Sequence, residues 1–169
     1  MSARRQVPGA QVSGVTFCVL RFTLYALIIA LVLAACAPQS AEPQPPDIAY
    51  GQDACDLCGM IISEPKYAAA TLLENGESRK FDDIGNMLVY HSQHPEPGVR
   101  AWFVHAYRTE EWLRGERAFY VRSTAIKSPM GHGIAAFNDQ AAAEELAAGL
   151  NAEVLPFDQL RVQVQVMAR

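Results

Sequence analysis

The spacing of apolar residues divides the first half of the folded region into short strands and one helix. Two strand-like runs, residues 67–73 and 77–81, flank Asn75-Gly76, a dipeptide typical of tight hairpin turns. A helix is predicted next, because apolar positions recur at the i, i+3, i+4 and i+7 spacing of one helical face. These positions are Ile84, Met87, Leu88 and His91. Residues 99–107, rich in aromatic and β-branched side chains, predict a closing strand, so the order is strand, strand, helix, strand.

The second half repeats this order. Strands are predicted at 118–124 and 134–137, and a helix over 140–150, where strong helix formers follow Asn138 or Asp139 as the cap. Phe81-Asp82-Asp83 and Phe137-Asn138-Asp139 therefore occupy the same strand-to-helix junction. We predict an α+β fold of two tandem ββαβ units, about 55–108 and 116–157, that form one compact region through internal duplication. Coincidence is the alternative explanation of the short repeat.

The two ends of the chain differ from this region. Residues 158–169 alternate apolar and polar positions as a strand does, yet Asp158 is also suited to cap a last helix, so both structures stay open. Residues 1–35 carry three Arg and no acid ahead of a 14-residue apolar run, which is typical of a secretory signal and too short to span a membrane. The run ends in Leu33-Ala34-Ala35-Cys36, the pattern that bacterial lipoprotein signal peptidase recognises. We expect residues 1–35 to be removed and Cys36 to be lipidated.

A Pro-rich tether, residues 36–49, then leads to a domain over 50–157. Ala37 follows the lipidated Cys36, and the absence of Asp there favours the outer over the inner membrane, with the domain facing the periplasm. All 18 Asp and Glu, but only 11 of the 14 Lys and Arg, lie after residue 35. A surface this acidic argues against a nucleic-acid partner.

Two of the four cysteines, Cys55 and Cys58, remain in the mature domain without a lipid. Spacing alone favours a disulfide or a redox pair, so a periplasmic thiol-disulfide oxidoreductase is an alternative function. Against it, the Cys-x-x-Cys motif precedes a hairpin and opens no evident helix, which would lower the pKa of a catalytic thiol.

Soft metal ligands are concentrated in two turn segments, residues 55–60 and 128–133. They add Met60, Met130 and His132 to the two thiols. Thiolate and thioether sulfur favour Cu(I), and a thioether is a poor zinc ligand. A Met is more often core filler, and this interpretation holds for Met87 on the helix stripe.

The other titratable residues have structural interpretations. His91 and His105 are predicted to be structural and His94 solvated, while Asp82 and Asp83 are predicted helix caps. No Ser-His-Asp order, phosphate loop or nucleotide fingerprint is present in the sequence. We therefore expect no catalytic residues and no enzymatic activity.

The sequence resembles the NosL lipoproteins, copper-binding accessory proteins of nitrous oxide reductase assembly. The resemblance covers most of residues 50–157 and rests on the signal-peptidase pattern, Cys58-Gly59-Met60, Phe81-Asp82-Asp83 and residues 128–137. It implies two ββαβ units and a Cu(I) chaperone that delivers copper to nitrous oxide reductase together with a membrane ABC-type complex.

The resemblance also implies a ligand set. Carried over by position, the copper ligands are Cys58, Met60 and Met130, with His132 as a further ligand. The resemblance does not extend to Cys55, which is either an additional thiol ligand, a disulfide partner of Cys58, or neither. The two-unit layout is similar to alkylmercury lyase as well, but residues 128–133 offer Met and His where that enzyme uses a second thiol.

Overall fold

A four-stranded antiparallel sheet forms the first part of the computed structural model, which describes residues 42–95 and 97–167. Its strands are β1 (Ala69–Leu73), β2 (Ser78–Phe81), β3 (Val99–His105) and β4 (Trp112–Arg114), in the spatial order β2-β1-β3-β4. Helix α1 (Ile84–Gln93) connects β2 to β3. The predicted hairpin is present, since β1 and β2 pair in antiparallel register on either side of Gly76, whose φ is 87°.

A three-stranded antiparallel sheet forms the second part. Its strands are β5 (Phe119–Arg122), β6 (Ile134–Phe137) and β7 (Val154–Pro156), in the order β6-β5-β7, and helix α2 (Gln140–Leu150) connects β6 to β7. In both sheets the first strand of the unit lies between the second and the third. The α+β class is thereby confirmed, whereas internal duplication as the origin of the two units stays a prediction.

One of two buried clusters joins the two sheets. Phe81, Ile84 and Phe103 of the first unit lie in the same buried cluster as Tyr120 and Ile134 of the second. The sheets also meet along the backbone, where Ala106 and Ala136 form a parallel bridge. This packing brings the turn of residues 128–133 in the second unit against the start of helix α1 in the first unit.

The C-terminal tail is helical. Helix α3 runs over Phe157–Met167, and its buried residues Phe157, Leu160 and Val164 recur at helical spacing. The alternating pattern that suggested a strand is misleading, because Val162 and Val166 are exposed on the opposite face. The strand expected over 99–107 is shorter than predicted, since β3 ends at His105.

The signal peptide, the lipidation site Cys36 and residues 37–41 of the tether lie outside the described residues. Within residues 42–95 and 97–167, no helix is long and apolar enough to cross a membrane.

Candidate metal centre

Cys55 and Cys58 lie on a tight turn between two short extended segments. Ala54 and Ile61 form an antiparallel bridge at its base. Inside the turn, the Cys55 N–H donates to the Met60 carbonyl at 2.8 Å, and Gly59 adopts a left-handed φ of 73°. The two cysteines are free thiols, Cys55 buried and Cys58 exposed. Neither begins a helix, in agreement with the prediction.

Asp82 completes a compact cluster with the two thiols. One ligand atom from each of Cys55, Cys58 and Asp82 lies within 4.8 Å of the other two. The Cys58 thiol donates to Asp82 Oδ2 at 3.5 Å. The Asn86 amide Nδ2 donates to Asp82 Oδ1 at 3.0 Å and to Cys55 Sγ at 3.7 Å. Asp82 was expected to cap α1, but it does not; Asp83 is the N-cap and accepts from the Gly85 N–H at 2.8 Å.

The surroundings of Cys58 disfavour its thiolate in the metal-free protein. Although the residue is exposed, partial desolvation of its thiol raises the pKa of Cys58 to about 11. The neighbouring Cys55 and the Asp82 charge raise this pKa further, and a hydrogen bond from the Met60 backbone lowers it. A catalytic redox thiol needs the opposite shift. The thiol-disulfide oxidoreductase is therefore not favoured, whereas a metal ion would replace the proton and stabilise the thiolate.

The second turn, residues 128–133, is tied to the same helix by Asp83. Its carboxylate Oδ2 accepts from the Ser128 hydroxyl at 2.6 Å and from the Met130 N–H at 3.2 Å. Ser128 Oγ in turn accepts from the Gly133 N–H at 3.0 Å. Asp83 thus caps α1 and fixes the Met130 turn with one buried carboxylate.

His132 packs against the first turn of α1. Its Nε2 is 3.1 Å from Asn86 Oδ1. A Cβ added at Gly85 would overlap the His132 ring, so the glycine is required for this close approach. His132 therefore lies one amide group away from the Cys55 and Asp82 cluster.

The two candidate methionine ligands are exposed, unlike the methionine assigned to the core. Met60 is 47% exposed and Met130 36%, whereas Met87 is fully buried as expected. Both turns are hydrogen-bonded to residues 82–86. Ligand roles for Cys58, Met60, Met130 and His132 stay predictions.

Two other histidines have structural partners. His105 Nε2 is 2.6 Å from the Tyr50 hydroxyl and its Nδ1 is 2.6 Å from the Glu110 carbonyl. His91 Nε2 is 2.9 Å from the buried Thr71 hydroxyl. Burial lowers the pKa of His91 to about 4.

Sequence reasoning did not identify Asp82 and Asn86 as parts of the cluster. Both are 3% exposed and polar. A signal was present, since one Asp suffices to cap a helix, and Gly85-Asn86 are poor helix formers in a first turn. Asp82 contacts Cys58 in the turn before β1, and Asn86 contacts His132 in a turn of the second unit; no local pattern predicts either contact.

Comparison with known proteins gives three consistent matches. The NosL family model matches residues 48–165. The copper-binding lipoprotein NosL of Stutzerimonas stutzeri is 27% identical over 150 residues, which cover 82% of this chain and 78% of that protein. The crystal structure of the copper chaperone NosL from Shewanella denitrificans is similar with a TM-score of 0.62 and 18% identity, covering 69% of this chain and 96% of that chain. The last match shows the fold alone, and neither relative is named for a catalytic reaction.

Proposed function

The chain belongs to the NosL family, and from this premise we propose that its two sulfur-bearing turns bind one Cu(I) ion. The ligands are Cys58 and Met60 from the first turn and Met130 and His132 from the second. Thiolate, thioether and imidazole donors suit Cu(I), and the two thioethers argue against zinc.

One observation supports this proposal above all: both turns are hydrogen-bonded to the same five residues, 82–86. Asp82 accepts from Cys58, and Asp83 accepts from Ser128 and the Met130 N–H. The start of α1 therefore holds the soft donors of both units on one rigid element, as a metal site requires.

Copper would enter as cargo and leave by ligand exchange. Binding displaces the Cys58 proton, for which the Asp82 carboxylate is the acceptor already in contact. Because Met60 and Met130 are exposed, sulfur or imidazole from an acceptor protein can reach a bound ion from that side. We propose that the protein is a copper chaperone without catalytic turnover.

The physiological route follows from the family premise and the expected lipid anchor. We propose that the protein faces the periplasm, anchored through Cys36 in the outer membrane, and passes Cu(I) toward nitrous oxide reductase together with a membrane ABC-type complex. The domain boundaries proposed from the sequence, a signal over 1–35, a tether over 36–49 and a domain over 50–157, place the metal centre beyond the tether.

The test is an anaerobic competition of the reduced full-length protein, in detergent, against a chromophoric Cu(I) chelator. We expect the wild type to bind one copper per chain, and Cys58→Ser, Met60→Leu and Met130→Leu each to weaken binding. Met87→Leu is the matched control, because it makes the same substitution at a buried methionine, and its affinity should equal that of the wild type. Binding that ignores both exposed methionines would refute the shared site.

Cys55 is resolved by the same experiment. Its Sγ lies within 4.8 Å of the Cys58 Sγ and of an Asp82 carboxylate oxygen, so a second thiolate is available to the ion. Cys55→Ser should weaken binding if Cys55 is a ligand. If it is only a disulfide partner, Cys55→Ser should leave Cu(I) affinity unchanged under reducing conditions and protect the site from oxidation. If it is neither, both the affinity and the sensitivity to oxidation should be unchanged.

A further inference from the structure

We propose that Asn86 is a positioning residue that holds His132 in one tautomer and makes Nδ1 the atom that binds copper. This inference rests on the proposed function and deepens it. It follows from the hydrogen bonds of Asn86, which link the thiol cluster of the first unit to the histidine of the second.

The first step fixes the orientation of the Asn86 amide. An ionised carboxylate accepts hydrogen bonds and cannot donate them. The atom of Asn86 that lies 3.0 Å from Asp82 must therefore be the donor Nδ2, which also donates to Cys55 Sγ. With both of its hydrogens directed to this cluster, the amide presents its carbonyl Oδ1 to the other side.

The second step fixes the proton on His132. Asn86 Oδ1 can only accept, and it lies 3.1 Å from His132 Nε2. In a neutral imidazole one ring nitrogen is the donor and the other is the acceptor. Nε2 therefore carries the hydrogen, and Nδ1 keeps a free lone pair.

The third step concerns where Nδ1 faces. The His132 atoms nearest to Gly85 are Cβ, Cγ and Cδ2, so the ring edge that faces this glycine carries Cδ2 and not Nδ1. Within residues 42–95 and 97–167, no hydrogen bond to Nδ1 is formed, and no buried side-chain nitrogen or oxygen lacks a partner. Nδ1 is consequently not buried, and it is the ring nitrogen left for an incoming ion.

The backbone of His132 is held independently of its ring. Its carbonyl accepts from Arg122 Nε at 3.4 Å. Metal-binding histidines commonly donate their second ring N–H to an oxygen acceptor, which sets both tautomer and ring orientation. Asn86 is the acceptor of this kind, and through Asp82 and Cys55 it couples the ring to the thiol cluster.

The direct test uses the full-length wild-type protein labelled with ¹⁵N-histidine and needs no metal. The resonances of His132 are assigned by comparison with His132→Gln. We expect Nε2 to be protonated, with its hydrogen-bonded proton visible, and Nδ1 to be unprotonated. A protonated Nδ1 would overturn the inference without touching the proposed function.

The ligand atom is tested with Ag(I), a diamagnetic substitute for Cu(I) whose nuclear spin splits the resonance of a bound nitrogen. Splitting of Nδ1 supports the inference. Splitting of Nε2, or bound silver with neither nitrogen split, overturns it. If the wild type binds neither silver nor Cu(I), the proposed function fails and the ligand role fails with it, while the metal-free experiment still decides the tautomer.

Two variants separate positioning from simple support of the fold. Asn86→Leu, of similar size, should abolish the Nε2 proton signal and lower Cu(I) affinity about 10- to 100-fold, the usual cost of losing such a partner. Asn86→Gln keeps both the amide donor toward Asp82 and the acceptor toward His132, and it should keep the proton signal. Wild-type affinity in a folded Asn86→Leu protein would refute the positioning role.

Discussion

The two strand-to-helix junctions have nearly the same sequence but different surroundings. At the first, Asp82 is 3% exposed and Asp83 fully buried. At the second, Asn138 and Asp139 are exposed, and Asp139 only caps α2 by accepting from the Ala142 N–H at 3.1 Å. A turn of the second unit covers the first junction through Ser128. The same local motif therefore becomes part of a site only where the other unit packs on it.

The residues after each motif show the same contrast. Gly85 and Asn86 follow the first motif, and Ala141 and Ala142 occupy the equivalent positions of α2. Alanine favours the helix, whereas Gly and Asn weaken it. The lower helix propensity of the first unit is offset by contacts with His132, because Gly85 makes room for the His132 ring and Asn86 hydrogen-bonds to it.

Removing the two capping carboxylates should give the largest difference between the junctions. Asp83→Ala loses the cap and the bonds to Ser128 and Met130, so we expect a loss of about 2–4 kcal/mol in the free energy of unfolding. Asp139→Ala loses a cap alone and should cost about 1 kcal/mol. Urea unfolding measures both. Equal losses would show that Asp83 does no more than cap its helix.

Lowering the pH should destabilise the first unit through a histidine of helix α1. His91 is half-buried there, and this partial burial lowers its pKa to about 4, while α2 contains no histidine. Between pH 6.5 and 4, His91 binds a proton in the unfolded chain but not in the folded protein. The free energy of unfolding should therefore decrease by on the order of 1–3 kcal/mol as the pH is lowered through this range. Burial also lowers the pKa of His105, which contributes with the same sign.

His91→Gln provides the control for this pH dependence. It retains a hydrogen-bonding partner for Thr71 but removes the titrating group. The urea midpoint of this variant should decline less steeply between pH 7 and 4.5 than that of the wild type. Parallel curves would exclude His91 as the source.

Two glycine substitutions should give the smallest effects: a gain in stability at Gly149 and a loss of Cu(I) affinity at Gly85. Gly149 lies in α2 with open space around it, so Gly149→Ala should stabilise the protein by about 0.5–1 kcal/mol. Gly85→Ala would push the His132 ring away from α1, and it should lower Cu(I) affinity about tenfold without a gain in stability. Stabilisation by both would mean that the His132 ring has room to move without loss.

Local sequence patterns predicted most of the elements. Helix α1 and the β1–β2 hairpin follow from residue spacing and turn chemistry, and Asp83 and Asp139 are the caps that their positions indicate. Strands β4 and β7 have three residues each, too few for a pattern. The alternation around Val164 is typical of a strand, but the segment is a helix. On that helix Val164 faces the core, whereas Val162 and Val166 face solvent.

The site was only half accessible to sequence reasoning. Cys58, Met60 and Met130 stand out because soft donors in glycine-containing turns have no packing explanation. Asp82 and Asn86 do not stand out in the sequence, because the role of a buried acid or amide depends on the hydrogen-bonding partner that folding brings to it. For Asn86 that partner is His132, in a turn 46 residues further along the chain. For Asp82 it is Cys58, 24 residues earlier.

X-ray absorption at the copper edge of the Cu(I)-loaded protein tests most directly whether the two turns share one ion. We predict that sulfur atoms and one nitrogen bind copper in the wild type, and that Met60→Leu and Met130→Leu each lose one of the sulfur ligands. An unchanged copper spectrum in Met130→Leu would contradict it, because copper would then be bound by the first turn alone.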